Sequence, residues 1–329
     1  MSYELSILDQ SPVQKDQTNV DALQQTIALA QLAERLGYTR FLVSEHHNLA
    51  GLIGTSPEVL VSHLLAKTSH ICIGSGGIML QHYSPFKVAE NFNVLATLAP
   101  GRVDLGVGKT SGALPDSTKA LQKNFKEDVT NFDERFAELY EYIHPNENTL
   151  LATPIPPIAP NIILLGASEQ SAAVAADLDI SYAFARFINT NEEALARVAK
   201  ILEPRKRGKF IVSLTVLATE DGEDARAIAA THKIAKIYFE SGKVVMLQTL
   251  ELAKAFVAQS DERYEIKTFD ANIIAGTPQE IKSKLDDLHV RFGVDEFILH
   301  TPVFDGSKRM KSFELLSPAN LFSEIKIPV

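Results

Sequence analysis

Tryptophan is missing from the 329 residues, and cysteine occurs once, as Cys72. Any ring stacked on a ligand must therefore come from phenylalanine or tyrosine. One cysteine cannot close a disulfide within the chain, and it excludes CxxC metal or redox motifs. In its setting, ICIGSGG, it reads as a small buried strand residue. Positive charge is also short: 32 Lys+Arg stand against 41 Asp+Glu, a net charge of −9, with no basic stripe. A nucleic-acid partner is not expected. No apolar run approaches the roughly 20 residues of a membrane span. The opening MSYELSILDQSP carries an early acid and no long apolar stretch. It is not read as a signal peptide, and a cytoplasmic location is the default expectation.

What is present is a regular alternation. Hydrophobic residues make up 45% of the chain and charged residues 22%, as in a globular protein with a substantial core. Eight short apolar runs read as strands: LSILD, RFLVSEH, ICIGSGG, RVDLGVG, NIILLGA, SYAFARF, FIVSLTVLAT and EFILHTP. They are apolar throughout rather than alternating, which suits parallel strands covered on both faces. Helical stretches lie between most of them. VDALQQTIALAQLAERLG ends at Gly37, and SPEVLVSHLLAKTS and SPFKVAENFNVLATLAPG both begin with Ser-Pro. The pattern predicts an α/β fold, a (β/α)8 TIM barrel forming a single domain over residues 1–329. Two insertions are expected. One follows strand 4, from Gly108 to Pro160. The other lies between strands 7 and 8, near 242–276, with VVMLQTLELAKAFVAQ read as helix-like.

Several familiar motifs fail. GVGKT resembles the end of a phosphate-binding loop, but Val103 stands where the first glycine belongs. The dinucleotide fingerprint fails at Met79 in GSGGIM and at Ser111 in GVGKTS. GASEQ ends in Gln170 where a nucleophile elbow needs glycine, and no His-Glu-x-x-His exists. No metal site is read.

Residues at the C-terminal ends of barrel strands face the active site. Strand 2 ends in Glu45, His46 and His47. Adjacent side chains point to opposite sides, so one histidine is expected to enter the pocket. Gly74, Gly76 and Gly77 in strand 3 allow close approach of another backbone or a flat ligand. After strand 5, Ser168 can cap a helix whose N-terminus suits a phosphate, with Ser171 in its first turn. Lys109, after strand 4, also suits an anion. His300 ends the last strand and is equally readable as structural.

SILDQSP, SEHHNLAG, GSGGIMLQHYSPFKVAE, LAPGRVDLGVG and ILLGASEQSA, in this order and spacing, resemble the bacterial luciferase-like flavin monooxygenases, single-chain members above all. The likeness covers nearly the whole chain. It implies the (β/α)8 barrel and reduced FMN supplied by a separate flavin reductase. It also implies addition of O2 at the flavin C4a, with the resulting (hydro)peroxide oxygenating a small organic substrate. By the same resemblance His46 and Glu45 are the catalytic pair, and Gly76 and Gly77 match a non-prolyl cis peptide under the flavin ring. Lys109, Ala167, Ser168 and Ser171 match the phosphate cluster. Lys109 stands where the family usually has arginine, which keeps the charge but gives up bidentate geometry. Gly108 stands where the luciferases have cysteine, so light emission is not expected. The AFARF segment around Arg186 offers a candidate aromatic face. The resemblance further implies a homodimer through the second and third barrel helices. A non-catalytic flavin-binding protein, a deazaflavin-dependent oxidoreductase and a flavin-free enzyme for a phosphorylated substrate stand as alternatives on the same barrel.

Overall fold

Runs of Ile, Leu and Val flanked by Gly, Pro and helix caps fold into β/α units that close on themselves. The computed structural model describes residues 3–14, 16–110, 112–123, 131–303 and 305–322. Ser111 and residues 124–130, part of the expected segment after strand 4, lie outside the described residues. The first half of the chain runs β1 (Glu4–Asp9), α1 (Asn19–Arg35), β2 (Arg40–Val43), α2 (Pro57–Lys67), β3 (Cys72–Met79), α3 (Pro85–Leu98) and β4 (Val103–Gly108). Then come α4 (Pro115–Leu121), α5 (Phe132–Ile143), β5 (Asn161–Gly166), α6 (Glu169–Asp177), β6 (Ser181–Ala185), α7 (Glu192–Leu202) and β7 (Phe210–Ala218). The last part holds α8 (Gly222–Ala230), β8 (Lys233–Phe239), β9 (Val244–Leu247), α9 (Leu250–Val257), β10 (Tyr264–Asp270) and β11 (Ile273–Gly276). It ends with α10 (Pro278–Phe292), β12 (Glu296–His300), α11 (Gly306–Leu315) and α12 (Pro318–Leu321).

Strands β1 to β7 pair in parallel in chain order apart from the seam, where β12 sits between β1 and β7, and β6 pairs with β7 to close the barrel. The expected (β/α)8 barrel is the observed fold. On the edge away from β6, β7 is long enough to serve two partners. Its first half pairs with β12, and its second half, Thr215 to Ala218, pairs with β11.

The insertion before β12 differs from the sequence expectation. It is mainly an antiparallel sheet in the order β10-β8-β9, begins at Lys233, and contains one helix, α9. VVML is strand, not helix; its paired valines favour an extended backbone, and β8 supplies the ladder partner. The insertion packs Ile237, Phe239, Leu252 and Phe256 onto Leu49, Leu52 and Leu114, which belong to the loops after β2 and β4. It therefore sits at the C-terminal mouth of the barrel. Among the described residues no helix is long and apolar enough to cross a membrane.

The barrel interior is layered. The floor is polar and buried. Arg40 contacts Glu296 through Nε at 2.6 Å and Nη2 at 2.9 Å, and Asp104 through Nη1 at 2.7 Å. Ser6 donates to Glu296 at 2.6 Å, and Asn161 to Asp104 at 2.8 Å. Above it lies an apolar layer of Leu8, Leu42, Ile163, Ala183, Ile211 and Ile298. The helices pack their apolar faces on the barrel's outer side, where Phe41, Phe92, Phe184 and Phe297 are fully buried. This arrangement leaves the mouth, framed by loops and the insertion, as the place for chemistry.

Candidate active site

Strand periodicity decides which of the two adjacent histidines enters the mouth. Leu42 points inward, and continuing the strand's alternation past Val43 turns Ser44 and His46 inward and Glu45 and His47 outward, toward Met79 at the end of β3 and Tyr83 before α3. The contacts agree. His46 Nδ1 lies 3.0 Å from the Ser44 hydroxyl. His47 Nε2 lies 2.7 Å from Glu45 Oε1, which also accepts from the Tyr83 hydroxyl at 2.8 Å. The second Glu45 oxygen accepts the Met79 backbone N–H at 3.0 Å. Glu45 is fully buried, with both oxygens engaged. Its carboxylate thus pins the end of β3 to the end of β2. Burial, and then the nearby Glu45 charge, push the Glu58 carboxyl above its ordinary range. Burial and Glu45 also push the Tyr83 hydroxyl upward.

His46 shares the mouth with His300, which the sequence leaves as readily structural as catalytic, and with Gln10 and Gln248, which the sequence does not single out. His300, at the end of β12, points inward like Ile298, and its Nε2 lies 3.0 Å from Gln10 Oε1. Gln10 follows β1 with the inward parity of Leu8, and its Oε1 also accepts from Gln248 Nε2 of the insertion at 3.0 Å. Burial lowers the His46 pKa to about 4, and proximity to His300 and His47 adds to this. Burial likewise lowers His300 to about 4, with Arg309 adding to the shift and Asp9 opposing it. Both rings are neutral at pH 7, so each can accept one proton or hydrogen bond.

The glycine stretch carries a cis peptide bond between Gly76 and Gly77. The register of β3 against β4 shifts there: Ser75 pairs with Leu105 and Ile78 with Val107, so β3 holds one extra residue. A Cβ on Gly77 would lie 2.6 Å from the Gly106 carbonyl oxygen and 2.3 Å from Leu165 Cδ1. One on Gly76 would lie 2.6 Å from Leu8 Cδ1. Of the two readings of these glycines, close approach of the barrel's own strands is the one these contacts display. The bulge lies directly over the apolar layer and one strand away from Ser44 and His46.

The anion-binding candidates lie on the far side of the mouth. Ser168 caps α6: its Oγ accepts the Ser171 N–H at 3.3 Å and lies 2.6 Å from Ser171 Oγ. The Tyr182 hydroxyl donates to the Ser168 carbonyl at 3.0 Å, while Asn189 Nδ2 donates to the Ala167 carbonyl at 3.0 Å, fixing the turn before the helix. Lys109 is exposed, with Nζ 5.7 Å from the centre of the Phe132 ring. Phe132 opens α5, and the next residue, Asp133, accepts from Gln170 in the first turn of α6 at 3.0 Å. Lys109 and the α6 N-terminus are thus joined through the start of α5. A helix N-terminus, hydroxyls and an ammonium are groups of the kind that suit an anion, although the Asp133 carboxylate stands between Lys109 and α6. Of the AFARF segment, Phe184 is fully buried against the helix layer and offers no face to the mouth.

Comparison with known proteins gives a consistent result. Residues 1–296 match the family model for luciferase-like monooxygenases. A Bacillus subtilis protein named N-acetyl-S-alkylcysteine monooxygenase is 40% identical over 327 residues, covering 96% of this chain and 98% of that protein. The crystal structure of apo-MsnO8 superposes with a TM-score of 0.79 at 30% identity, covering 97% and 98% of the two chains. The oxygenating constituent of 3,6-diketocamphane monooxygenase from Pseudomonas putida, solved in complex with FMN, shares the fold with a TM-score of 0.70 at 16% identity over 98% of this chain and 99% of that one.

Proposed function

The chain belongs to the luciferase-like monooxygenase family, and from that premise we propose that it oxygenates a small, polar organic molecule with O2, using reduced FMN delivered by a separate flavin reductase. The observation that carries the reading is the placement of His46, inward at the mouth and neutral, across from the capped N-terminus of α6 and Lys109. These residues fit FMN. The Lys109 ammonium and the α6 N–H groups with Ser168 and Ser171 would hold the phosphate, and Ala167 would supply backbone there. Gly76 and Gly77, whose missing side chains make room for the neighbouring strands, would present backbone toward the isoalloxazine ring. Reduced FMN, when bound, supplies the electrons that activate O2. His46 is the catalytic imidazole, moving or holding a proton at its ring nitrogen beside the reacting centre. Glu45 serves this chemistry from behind, by fixing the β3 bulge through Met79 and the orientation of His47. The apolar layer beneath and the insertion above limit the access of water.

The mouth is lined by Gln10, Ser44, His46, Gln248 and His300. Such a lining suits a substrate with hydrogen-bonding groups better than a plain hydrocarbon. N-acetyl-S-alkylcysteines are the first compounds to assay, given the 40% identical relative that bears their name. The assay is product formation under O2 with reduced FMN generated by an added reductase. Turnover without any oxygenated product, across polar thioethers, amides and ketones, would sink the monooxygenase chemistry proposed for this site.

Lys109→Ala tests the phosphate role. A hydrogen bond to a charged group contributes about 1.5–3 kcal/mol, and the exposure of Lys109 places the effect at the lower end. FMN affinity is expected to fall roughly tenfold, read by fluorescence titration; unchanged affinity removes Lys109 from the site.

We also infer a homodimer, in the cytoplasm, formed through α2 and α3. Val59 on α2 is 67% exposed, and Val94 and Leu98 on α3 are 43% and 70% exposed. These are apolar positions on neighbouring helices with no cover among the described residues. Leu98→Glu is expected to shift the protein to monomer in sedimentation equilibrium. An unchanged mass would move the interface elsewhere.

A further inference from the structure

His300 is the least explained group of the mouth. Its partner, Gln10, uses one oxygen for two contacts, to Gln248 Nε2 at 3.0 Å and to His300 Nε2 at 3.0 Å. Gln248 donates from its amide nitrogen, so the Gln10 oxygen is the acceptor in both bonds. The ring nitrogen of a neutral histidine that faces an acceptor must carry the hydrogen. His300 Nδ1, which has no hydrogen-bond partner among the described residues, is then the bare acceptor.

We propose that His300 is a second functional imidazole of the mouth, held in its Nε2–H tautomer by Gln10, and that Gln248 makes this orientation depend on the insertion being seated. The three residues come from three different parts of the chain: Gln10 follows β1, Gln248 lies between β9 and α9, and His300 ends β12. They meet only because the barrel closes and the insertion folds back over its mouth. His300 thereby offers a lone pair to a substrate hydroxyl or amide hydrogen beside His46. Lifting the insertion releases Gln10, whose amide can then turn and present its nitrogen to the ring, favouring the other tautomer. Closure of the insertion and the acceptor state of the site are coupled through two hydrogen bonds.

The charged groups facing His300 do not undo this arrangement. Asp9, after Leu8 on β1, and Arg309, on α11, are paired with each other at 2.9 Å, and both are buried. Their opposite influences on the ring partly cancel. His46, just after β2, is neutral as well. The role beside His46 rests on the monooxygenase reading above; the tautomer and its link to Gln248 do not.

The test is long-range 1H–15N NMR of the ring nitrogens in the full chain, with His300 assigned by the signals lost in His300→Asn. Expected is an Nε2–H tautomer, unprotonated from pH 8 down to about pH 5.5, as a neutral ring away from the ordinary histidine range requires. In Gln248→Ala the two ring shifts are expected to move toward each other as the second tautomer becomes populated. An Nδ1–H tautomer or an imidazolium at pH 7 in the unaltered protein overturns the assignment without needing any variant to fold. Shifts unmoved in Gln248→Ala overturn the link to the insertion. Neither outcome depends on FMN, so a failure here is distinct from a failure of the proposed reaction.

Discussion

Replacing His46 with alanine is expected to lower the yield of oxygenated product by roughly 10²–10⁴-fold, the range supplied by a positioned acid or base, while leaving FMN affinity within a few-fold of its starting value. The separation of these two effects follows from the geometry. His46 stands at the end of β2, fixed by Ser44, whereas the anion-binding groups lie after β4 and at the start of α6. Oxygen consumption need not fall with product, because reduced flavin also reacts with O2 unproductively; the ratio of product to oxygen consumed is the sensitive readout. The pH profile adds a second constraint. With its pKa lowered to about 4 by burial and by the neighbouring histidines, His46 keeps its neutral form from alkaline pH down through pH 5. Activity that depends on a neutral ring stays flat over that range and declines only as the pH approaches 4. A profile that falls near pH 6.5, the ordinary histidine value, or a variant as productive as the parent, removes His46 from the chemistry.

Arg40→Met is expected to destabilise the protein by about 3–5 kcal/mol, the usual effect of breaking a buried ion pair from one side. Arg40 is the common partner of Glu296 and Asp104 at the barrel floor. Burial works against all three charges. The two carboxylates nonetheless raise the Arg40 pKa, and Arg40, Ser6 and Lys209 hold Glu296 below its ordinary range despite its burial. Lys209 Nζ, 3.5 Å from Glu296 and itself half-buried, remains in the variant but is too distant and too exposed to replace the lost contacts. Against a typical folding stability of about 5–15 kcal/mol, such a loss is large. The pH dependence has a definite sign. Because the folded-state pKa of Glu296 is depressed, its contribution is fully present above the unfolded value of about 4.5 and is lost as the pH falls through the folded value. The parent should therefore lose stability in acid below about pH 4.5, and Arg40→Met should lose less there. Urea unfolding at pH 7 and pH 4 measures both; a change under 1 kcal/mol at pH 7 would show that the floor tolerates the loss.

The barrel was legible because its signals are local. Gly37, Ser-Pro helix starts and unbroken apolar runs each act over a few residues, and together they place all eight barrel strands. The capped helix at Ser168 was legible for the same reason. The parity of the Glu-His-His run was not. Parallel strands are apolar on both faces, so FLVSEHH does not reveal which side of Leu42 faces the barrel axis. It took the contacts of Glu45 with Tyr83 and Met79 to show that His47 points out and His46 in. Gln10 lay within the SILDQSP stretch, but its partner His300 is 290 positions away and becomes a neighbour only when β12 enters between β1 and β7. The helix-like reading of VVML failed because four apolar residues fit either period, and the antiparallel partner that decides for strand lies in β8.

The most direct test of a flavin-dependent monooxygenase is anaerobic titration of the protein with photoreduced FMN, followed by rapid mixing with oxygenated buffer and absorbance recording. Saturable binding of the reduced form, followed by a transient spectrum distinct from both reduced and oxidised flavin, is the predicted result, with the transient altered in His46→Ala. Failure to bind either form of FMN would contradict the account and would leave the Lys109 and Ser168 cluster to a phosphorylated substrate instead.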